Sequence, residues 1–203
     1  MNDFQGIWIN RFLRKWESTL TFVYNKTVRV YGKIHNVEIG HRCCFMGMPL
    51  FRRAEHSFIN IGTDCNFRSL RRWTGQVGLT RPCTIQTLRA GARLIIGNHC
   101  GFSSTAVSAA ESIEIGENVL CGANVIVTDT DWHCVNPEHR IDHIPPSAPV
   151  FIKNNVWLGM NVIILKGVTI GENTVVAAGS IVTKDLPEGV VAAGHPAKIV
   201  RHL

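Results

Sequence analysis

The segment between residues 128 and 150 holds the side chains best suited to proton transfer. It is polar, contains prolines and carries three histidines, His133, His139 and His143. An imidazole with an ordinary pKa of about 6.5 can take a proton from a hydroxyl group near neutral pH, as a general base must. Such a base usually has a partner on its second nitrogen. Asp131 and Glu138 are the candidate carboxylates for this orienting role, and a backbone carbonyl would serve equally well.

The C-terminal third of the chain repeats every six residues, and this period decides the fold class. One unbroken aliphatic series follows it: Ile152, Leu158, Ile164, Ile170, Val176 and Val182. An α-helix would place residues six apart on nearly opposite faces, because its period is 3.6. A strand, a corner and a return strand explain the spacing. The sequence therefore predicts an all-β solenoid with three hexads in each triangular coil.

Other positions of the hexad support the solenoid. The third residue after the aliphatic one is of a type that adopts a positive φ at low cost: Asn118, Asn124, Asn161, Gly167, Asn173, Gly179 and Asp185. The period extends less cleanly towards the N-terminus, in the runs Ile39–Phe45–Phe51, Ile61–Phe67–Trp73–Leu79–Ile85 and Ile96–Phe102–Ser108. About twenty hexads would give about six or seven coils and a prism about 30 Å long.

Three parts of the chain follow from these patterns. Residues 1–30 read as an amphipathic helical segment, because large apolar side chains recur every four residues among basic ones. Residues 31–185 read as the β-helix, interrupted by an extruded loop at 128–150. Residues 186–203 are expected to fold back over the last coil. The helical segment either caps the first coil, which we favour, or lies on a membrane surface.

Composition limits the function classes without naming one. The net charge of +6 suits an anionic partner, but no known nucleic-acid-reading motif surrounds the basic residues, so we expect no nucleic acid. No apolar run is long enough to span a bilayer, and the N-terminus lacks the pattern of a secretory signal. Seven cysteines without metal-ligand spacing indicate a reducing compartment. We therefore expect a cytoplasmic protein, with the inner face of the membrane as a further possibility.

The last fifty residues resemble the hexapeptide-repeat acyltransferases. Between residues 150 and 201 the chain reads VWLG, then VIILKGVTIGENTVVAAGSIVTKDLP, then AAGHPAKIVR. This family includes galactoside and maltose acetyltransferases and the enzymes that acetylate capsule and lipopolysaccharide sugars. The resemblance implies a left-handed parallel β-helix, acetyl-CoA as co-substrate, no metal, and a homotrimer with active sites between subunits. It also implies transfer of an acetyl group to a sugar hydroxyl, by direct attack in a ternary complex, in the synthesis of surface polysaccharide or lipopolysaccharide.

The resemblance assigns roles to individual positions. His133 follows the segment Gly122–Val125 as the family's catalytic histidine does, so it matches the general base. The backbone amide of Met160, after VWLG, matches the donor that stabilises the oxyanion. Ser103 and Asn124 match positions near the acceptor. The remaining matches would contact CoA: Trp157, Gly159, Ala178, Thr183, Lys184, Lys198 and Arg201.

Three alternatives stay open at the level of sequence. The acceptor could be serine or a xenobiotic instead of a sugar. The chain could be a β-helix scaffold that has lost catalysis, because a fold does not establish a function. It could also be a γ-class carbonic anhydrase, which would need zinc on histidines such as His99, His133 and His139. The spacing of these histidines does not fit that enzyme.

Overall fold

The computed structural model describes residues 4–70 and 78–203. Within these residues one long helix, α1 (Phe4–Ile34), precedes twenty short strands arranged in three sheets. The chain visits the three sheets in turn, so that one strand from each sheet makes one coil of a three-sided prism. We name each edge of the prism by the two sheets that it joins.

The strands divide among the sheets as follows. Sheet A contains β1 (Glu38–Ile39), β4 (Phe58–Ile61), β7 (Arg93–Ile96), β10 (Ser112–Ile115), β13 (Val150–Ile152) and β16 (Thr169–Ile170). Sheet B contains β2 (Cys44–Met46), β5 (Asn66–Arg68), β8 (Gly101–Ser103), β11 (Leu120–Ala123), β14 (Trp157–Leu158), β17 (Val175–Val176), β19 (Val190–Gly194) and β20 (Ala197–His202). Sheet C contains β3 (Leu50–Arg52), β6 (Thr84–Thr87), β9 (Ala106–Ala109), β12 (Ile126–Thr128), β15 (Ile163–Ile164) and β18 (Ile181–Val182).

The predicted fold is confirmed. Six coils each take one strand from every sheet, and neighbouring coils pair in parallel; in sheet B, for example, Leu158 stands opposite Val176. All six aliphatic residues of the C-terminal series are buried. Most of the predicted corner residues have a positive φ, including Asn124 at +62° and Asn161 at +58°, although Asp185 does not.

The interior is a column of stacked side chains that repeat from coil to coil. The rings of Phe45, Phe67 and Phe102 stack with centroids 5.0 Å apart, which matches the spacing of neighbouring strands. At the A–B edge, Cys65 is fully buried and its thiol donates to the Gly97 carbonyl 3.2 Å away. Hydrogen bonding with Cys100 is the largest of the effects that together raise the pKa of Cys65 to about 11. These cysteines pack as small apolar residues.

One predicted run of hexads is wrong. Phe67 of β5 and Ile85 of β6 occupy successive positions of the same coil, although 18 residues separate them. The intervening residues 69–83 are an insertion between sheets B and C. Leu79 is buried but lies outside the strands, and Trp73 lies outside the described residues.

The two ends of the prism are covered by the chain termini. The helix α1 continues to Ile34, beyond the expected boundary at residue 30, and its last part packs on the first coil. Val28 is fully buried there, and the side-chain oxygen Oδ1 of Asn25 accepts a hydrogen bond from the Phe45 amide at 2.7 Å. At the other end, β19 extends sheet B and β20 returns antiparallel to it.

Candidate functional site

The loop that carries His133 leaves the prism at the C–A edge, between β12 and β13, and its first residue is a buried anchor. Asp129 is fully buried, and its two carboxylate oxygens accept hydrogen bonds from three backbone amides of the coil below. The donors are Ala110 at 2.6 Å, Glu111 at 2.7 Å and Ser112 at 2.8 Å. The Asp129 carbonyl accepts a further bond from the amide of Ala148, near the loop's far end. Asp129 therefore closes the base of the loop.

Further contacts hold the loop along the same edge. Thr130 and Ser147 form an isolated antiparallel bridge across its base. From an earlier coil, the Arg89 guanidinium donates to the Pro145 carbonyl at 2.7 Å. From a later coil, Lys166 lies 2.8 Å from the Asp131 carboxylate. Asp131 is thus paired with Lys166, and among the described residues no hydrogen bond joins its carboxylate to His133.

The imidazole of His133 is exposed, and its partner is a backbone carbonyl. Nδ1 lies 3.3 Å from the carbonyl oxygen of Arg140. A carbonyl can only accept, so this contact suits the neutral tautomer with its proton on Nδ1, in which Nε2 carries the lone pair. Glu138 makes no side-chain hydrogen bond to His133 in the described part of the chain. Its amide instead donates to Asn136 at the start of the 3-10 helix Pro137–His139.

The other two histidines of the loop lie together. The ring centroids of His139 and His143 are 3.9 Å apart, and Asp142 is 3.0 Å from Nδ1 of His143. The ligand atoms of these three residues lie within 4.8 Å of one another, which makes them the group best placed to hold a metal among the described residues. The residue expected to act as base, His133, is not part of this group.

A second set of predicted residues meets at the B–C edge. A Cβ atom on Gly159 would lie 2.5 Å from the Ala178 amide nitrogen, and one on Gly122 would lie 2.8 Å from the Met160 amide nitrogen. The coils therefore approach so closely at this edge that only glycine fits. Within the described residues, the Met160 amide donates no hydrogen bond, so its N–H is available to a ligand. Ser103 lies at the same edge but is only 5% exposed.

The side chain of Asn124 at the B–C edge is hydrogen-bonded to Gly78 and Thr80, which belong to the insertion 69–83. This insertion was not predicted from the sequence. The side-chain oxygen of Asn124 accepts from the Thr80 hydroxyl at 2.7 Å, and its side-chain nitrogen donates to the Gly78 carbonyl. Arg81 donates to the Asn124 carbonyl at 3.1 Å. A Cβ atom on Gly78 would lie 3.2 Å from the Met160 sulfur. Asn124 therefore anchors the insertion beside Met160, and its side chain is not free for an acceptor.

The remaining residues expected to bind CoA are spread over two edges. Trp157 is half-exposed on the outer face of sheet B, between Leu120 and Val175. Lys198 of β20 pairs with Ala193 of β19, near the B–C edge. Thr183 and Lys184 are exposed at the C–A edge, directly after β18. Arg201 of β20 is also exposed and pairs with Val191 of β19.

His133 and the Met160 amide thus belong to different edges of one chain. A side of the prism spans about five extended residues, or about 17 Å. His133 stands three positions after Thr130, which the C–A edge holds, so its Cα can lie at most about 10 Å away. An acyl carbon attacked under the control of His133 must also lie within about 3–4 Å of the oxyanion donor. The general base and the oxyanion donor of one chain are thus attached about one side of the prism apart.

Two family models match the repeats. "Bacterial transferase hexapeptide (six repeats)" matches residues 149–184, and "Hexapeptide repeat of succinyl-transferase" matches residues 93–129. A galactoside O-acetyltransferase of Escherichia coli (strain K12) is 44% identical over 115 residues, which cover 56% of either chain. One from Lactococcus lactis is 43% identical, covering 53% of this chain and 51% of the relative. The chain thus spans about half the length of these relatives.

Solved structures agree on the fold. A galactoside acetyltransferase in complex with coenzyme A is 32% identical, with a TM-score of 0.50, and the match covers 75% of this chain and 65% of that one. A hexapeptide-repeat acetyltransferase of Vibrio cholerae O1 biovar eltor, complexed with acetyl coenzyme A, has a TM-score of 0.57 at 24% identity, covering 95% and 88%. No helix among the described residues is long and apolar enough to cross a membrane. The six stacked coils and the two matched repeat segments show that the chain carries hexapeptide repeats and folds as a left-handed β-helix.

Proposed function

We propose that the protein transfers an acetyl group from acetyl-CoA to a hydroxyl of a sugar, with His133 as the general base. The observation that carries the proposal is the contact between Nδ1 of His133 and the Arg140 carbonyl, 3.3 Å apart, which suits the tautomer with its proton on Nδ1. In that tautomer, Nε2 of the exposed ring carries the lone pair that would accept the hydroxyl proton. The acceptor class is supported by the names of the two relatives, which are galactoside O-acetyltransferases.

The reaction would proceed by direct attack within a ternary complex. As Nε2 of His133 takes the proton, the acceptor oxygen bonds to the thioester carbon and its carbonyl oxygen becomes negative. The amide of Met160, which donates no hydrogen bond among the described residues, would donate to that oxygen. When the carbonyl re-forms, the C–S bond breaks and the imidazolium returns the proton to the CoA thiolate. CoA would lie along the B–C edge beside Gly159, where Met160 and Ala178 are exposed.

We further propose that the active unit is a homotrimer in which each site lies between two subunits. This arrangement is supported by the separation of His133 from Met160, since a neighbour's C–A edge could bring its own His133 to the B–C edge. Light scattering should then give about three times the 22.5 kDa mass of the chain. A stable monomer with full activity would contradict the trimer.

The first test is thiol release from acetyl-CoA in the presence of a panel of sugars, free serine and chloramphenicol. We expect release with sugars, and a loss of about 10²–10⁴-fold in His133→Ala while CoA binding persists. His143→Ala, on the same loop, is the matched control and should keep activity within a few-fold. Release that survives His133→Ala would exclude this residue as the base. CoA binding without turnover on any acceptor would favour the scaffold.

Subunit mixing tests where the site lies. His133→Ala disables the loop, and Gly159→Ala disturbs the B–C edge where Met160 lies. If the site spans two subunits, trimers that combine the two variants contain some interfaces with an intact loop and an intact edge. Co-expressed, doubly tagged trimers should therefore be more active than trimers of either variant alone. Mixed trimers that stay inactive would place the base and the donor in one chain.

A further inference from the structure

The helix α1 presents a continuous apolar face that no part of the described chain covers. Six large apolar residues along it recur at intervals of four or seven, so they share one side of the helix. They are Trp8, Phe12, Trp16, Val23, Val30 and Ile34, and each is between 47% and 74% exposed. We call this the apolar face of α1.

The side that packs on the prism is a different one. The hydrogen bonds and ring contacts that join α1 to the first coil come from Asn25, Arg29 and Tyr31, and Val28 is buried with them. Residues two apart in a helix point about 200° apart, so Val28 and Val30 face opposite directions. Capping the first coil therefore leaves the apolar face of α1 turned outward.

The charge of the helix indicates what covers this face. The helix α1 holds six basic residues and one acidic residue, a net +5 out of the chain's +6: Arg11, Arg14, Lys15, Lys26, Arg29, Lys33 and Glu17. Two such helices packed together would bring like charges side by side. An anionic bilayer surface offers both an apolar layer for the ring side chains and negative headgroups for the lysines and arginines.

We propose that the apolar face of α1 is a binding surface for anionic phospholipid, which seats the protein on a membrane without crossing it. Trp8, Phe12 and Trp16 enter the boundary between headgroups and acyl chains, and Arg11, Arg14 and Lys15 remain with the headgroups. The prism is then held beside the bilayer by the end that α1 caps.

The test is co-sedimentation of the full-length protein with vesicles, one set of phosphatidylcholine alone and one containing phosphatidylglycerol. We expect binding to the anionic vesicles, a large decrease in high salt, and at least a tenfold weaker partition to the neutral ones. Phe12→Ser/Trp16→Ser should lose most of the binding, and so should Arg11→Glu/Lys15→Glu. Lys153→Glu, an exposed basic residue on the prism, is the matched control and should bind as wild type does.

Two outcomes would overturn the proposal. One is absence of binding to either kind of vesicle. The other is a lower oligomeric mass in Phe12→Ser/Trp16→Ser without loss of vesicle binding, which would assign the face to a second copy of the chain. If the apolar variant fails to fold, the charge variant still decides, because its substitutions lie on exposed residues. Binding is measured without turnover, so failure of the acetyltransfer proposal would leave this result unaffected.

Discussion

Removal of the Asp129 carboxylate should loosen the base of the His133 loop more than any other single change there. Its oxygens accept three backbone hydrogen bonds at 2.6–2.8 Å. A buried donor left without a partner costs about 1–3 kcal/mol. Ala110 is buried, whereas Glu111 is exposed and Ser112 partly so, and water can replace some of their bonds. We therefore expect Asp129→Ala to lower the free energy of unfolding by about 3–5 kcal/mol.

The same estimate gives the thermal shift. At about 2–4 °C for each kcal/mol in a chain of this size, Asp129→Ala should lower the Tm by about 6–20 °C. Asp129→Asn should fall between wild type and Asp129→Ala, because its amide group turns one acceptor into a donor that faces another N–H. Differential scanning fluorimetry at fixed protein concentration measures both shifts.

Activity should fall by a separate route. The loop positions His133, and misplacing a catalytic group by about 1 Å can cost a hundredfold in rate. We expect kcat to fall by about ten- to hundredfold in Asp129→Ala at a temperature where the variant is folded. CoA affinity should stay unchanged because the Gly159 and Ala178 backbone belongs to coils that the change does not touch.

Asp185 supplies a matched control. It lies at the same C–A edge, is exposed, and accepts a backbone bond from Thr169 at 2.7 Å. Asp185→Ala should change the Tm by less than about 4 °C and leave kcat near the wild-type value. The reasoning is refuted if Asp129→Ala keeps both its Tm and its kcat, or if Asp185→Ala loses as much as Asp129→Ala.

Two further substitutions and one labelling experiment test the packing of the chain. Gly159→Ala should destabilise the protein by about 1–3 kcal/mol and lower kcat, because its Cβ would meet the Ala178 backbone; an unchanged Tm would show that the coils separate freely. Asn124→Ala should release the insertion 69–83 and speed its cleavage by trypsin, whereas equal cleavage rates would deny the anchor. Iodoacetamide at pH 8 should modify Cys134 well before Cys65, whose raised pKa of about 11 keeps its buried thiol protonated, and equal rates found by peptide mapping would contradict that burial.

The sequence predicted the fold most accurately where no residue interrupts the period. From Ile152 to Val182 each hexad supplies one inward aliphatic residue, and every one is buried. The insertion 69–83 could not be detected from the six-residue period. Ile85 comes 18 residues after Phe67, and 18 is a multiple of six, so the period continues across the insertion. An apolar residue at position 79 completes the false series. Periodicity alone does not detect an insertion whose length preserves the period.

The residues of the candidate site could be predicted from the sequence, but most of their contacts could not. The motif match drew attention to His133, but a backbone carbonyl such as that of Arg140 exists at every position and leaves no mark in the sequence. Asp131 meets Lys166 because coil stacking brings together residues 35 positions apart. A signal for Asp129 was present: it stands two residues after the inward Val127, so its side chain points inward as well.

The insertion 69–83 and the loop that carries His133 are attached to different edges of the prism. The insertion 69–83 stands between sheets B and C and brings Gly78 beside Met160, whereas the loop with His133 leaves between sheets C and A. In the proposed trimer, the wall around the acceptor would then come from one subunit and the base from its neighbour. Changes in the insertion should therefore alter which acceptor is used, and changes in the loop should alter the rate with every acceptor. Substitutions should be able to change acceptor choice and rate separately, because the coils hold the B–C and C–A edges of one chain apart.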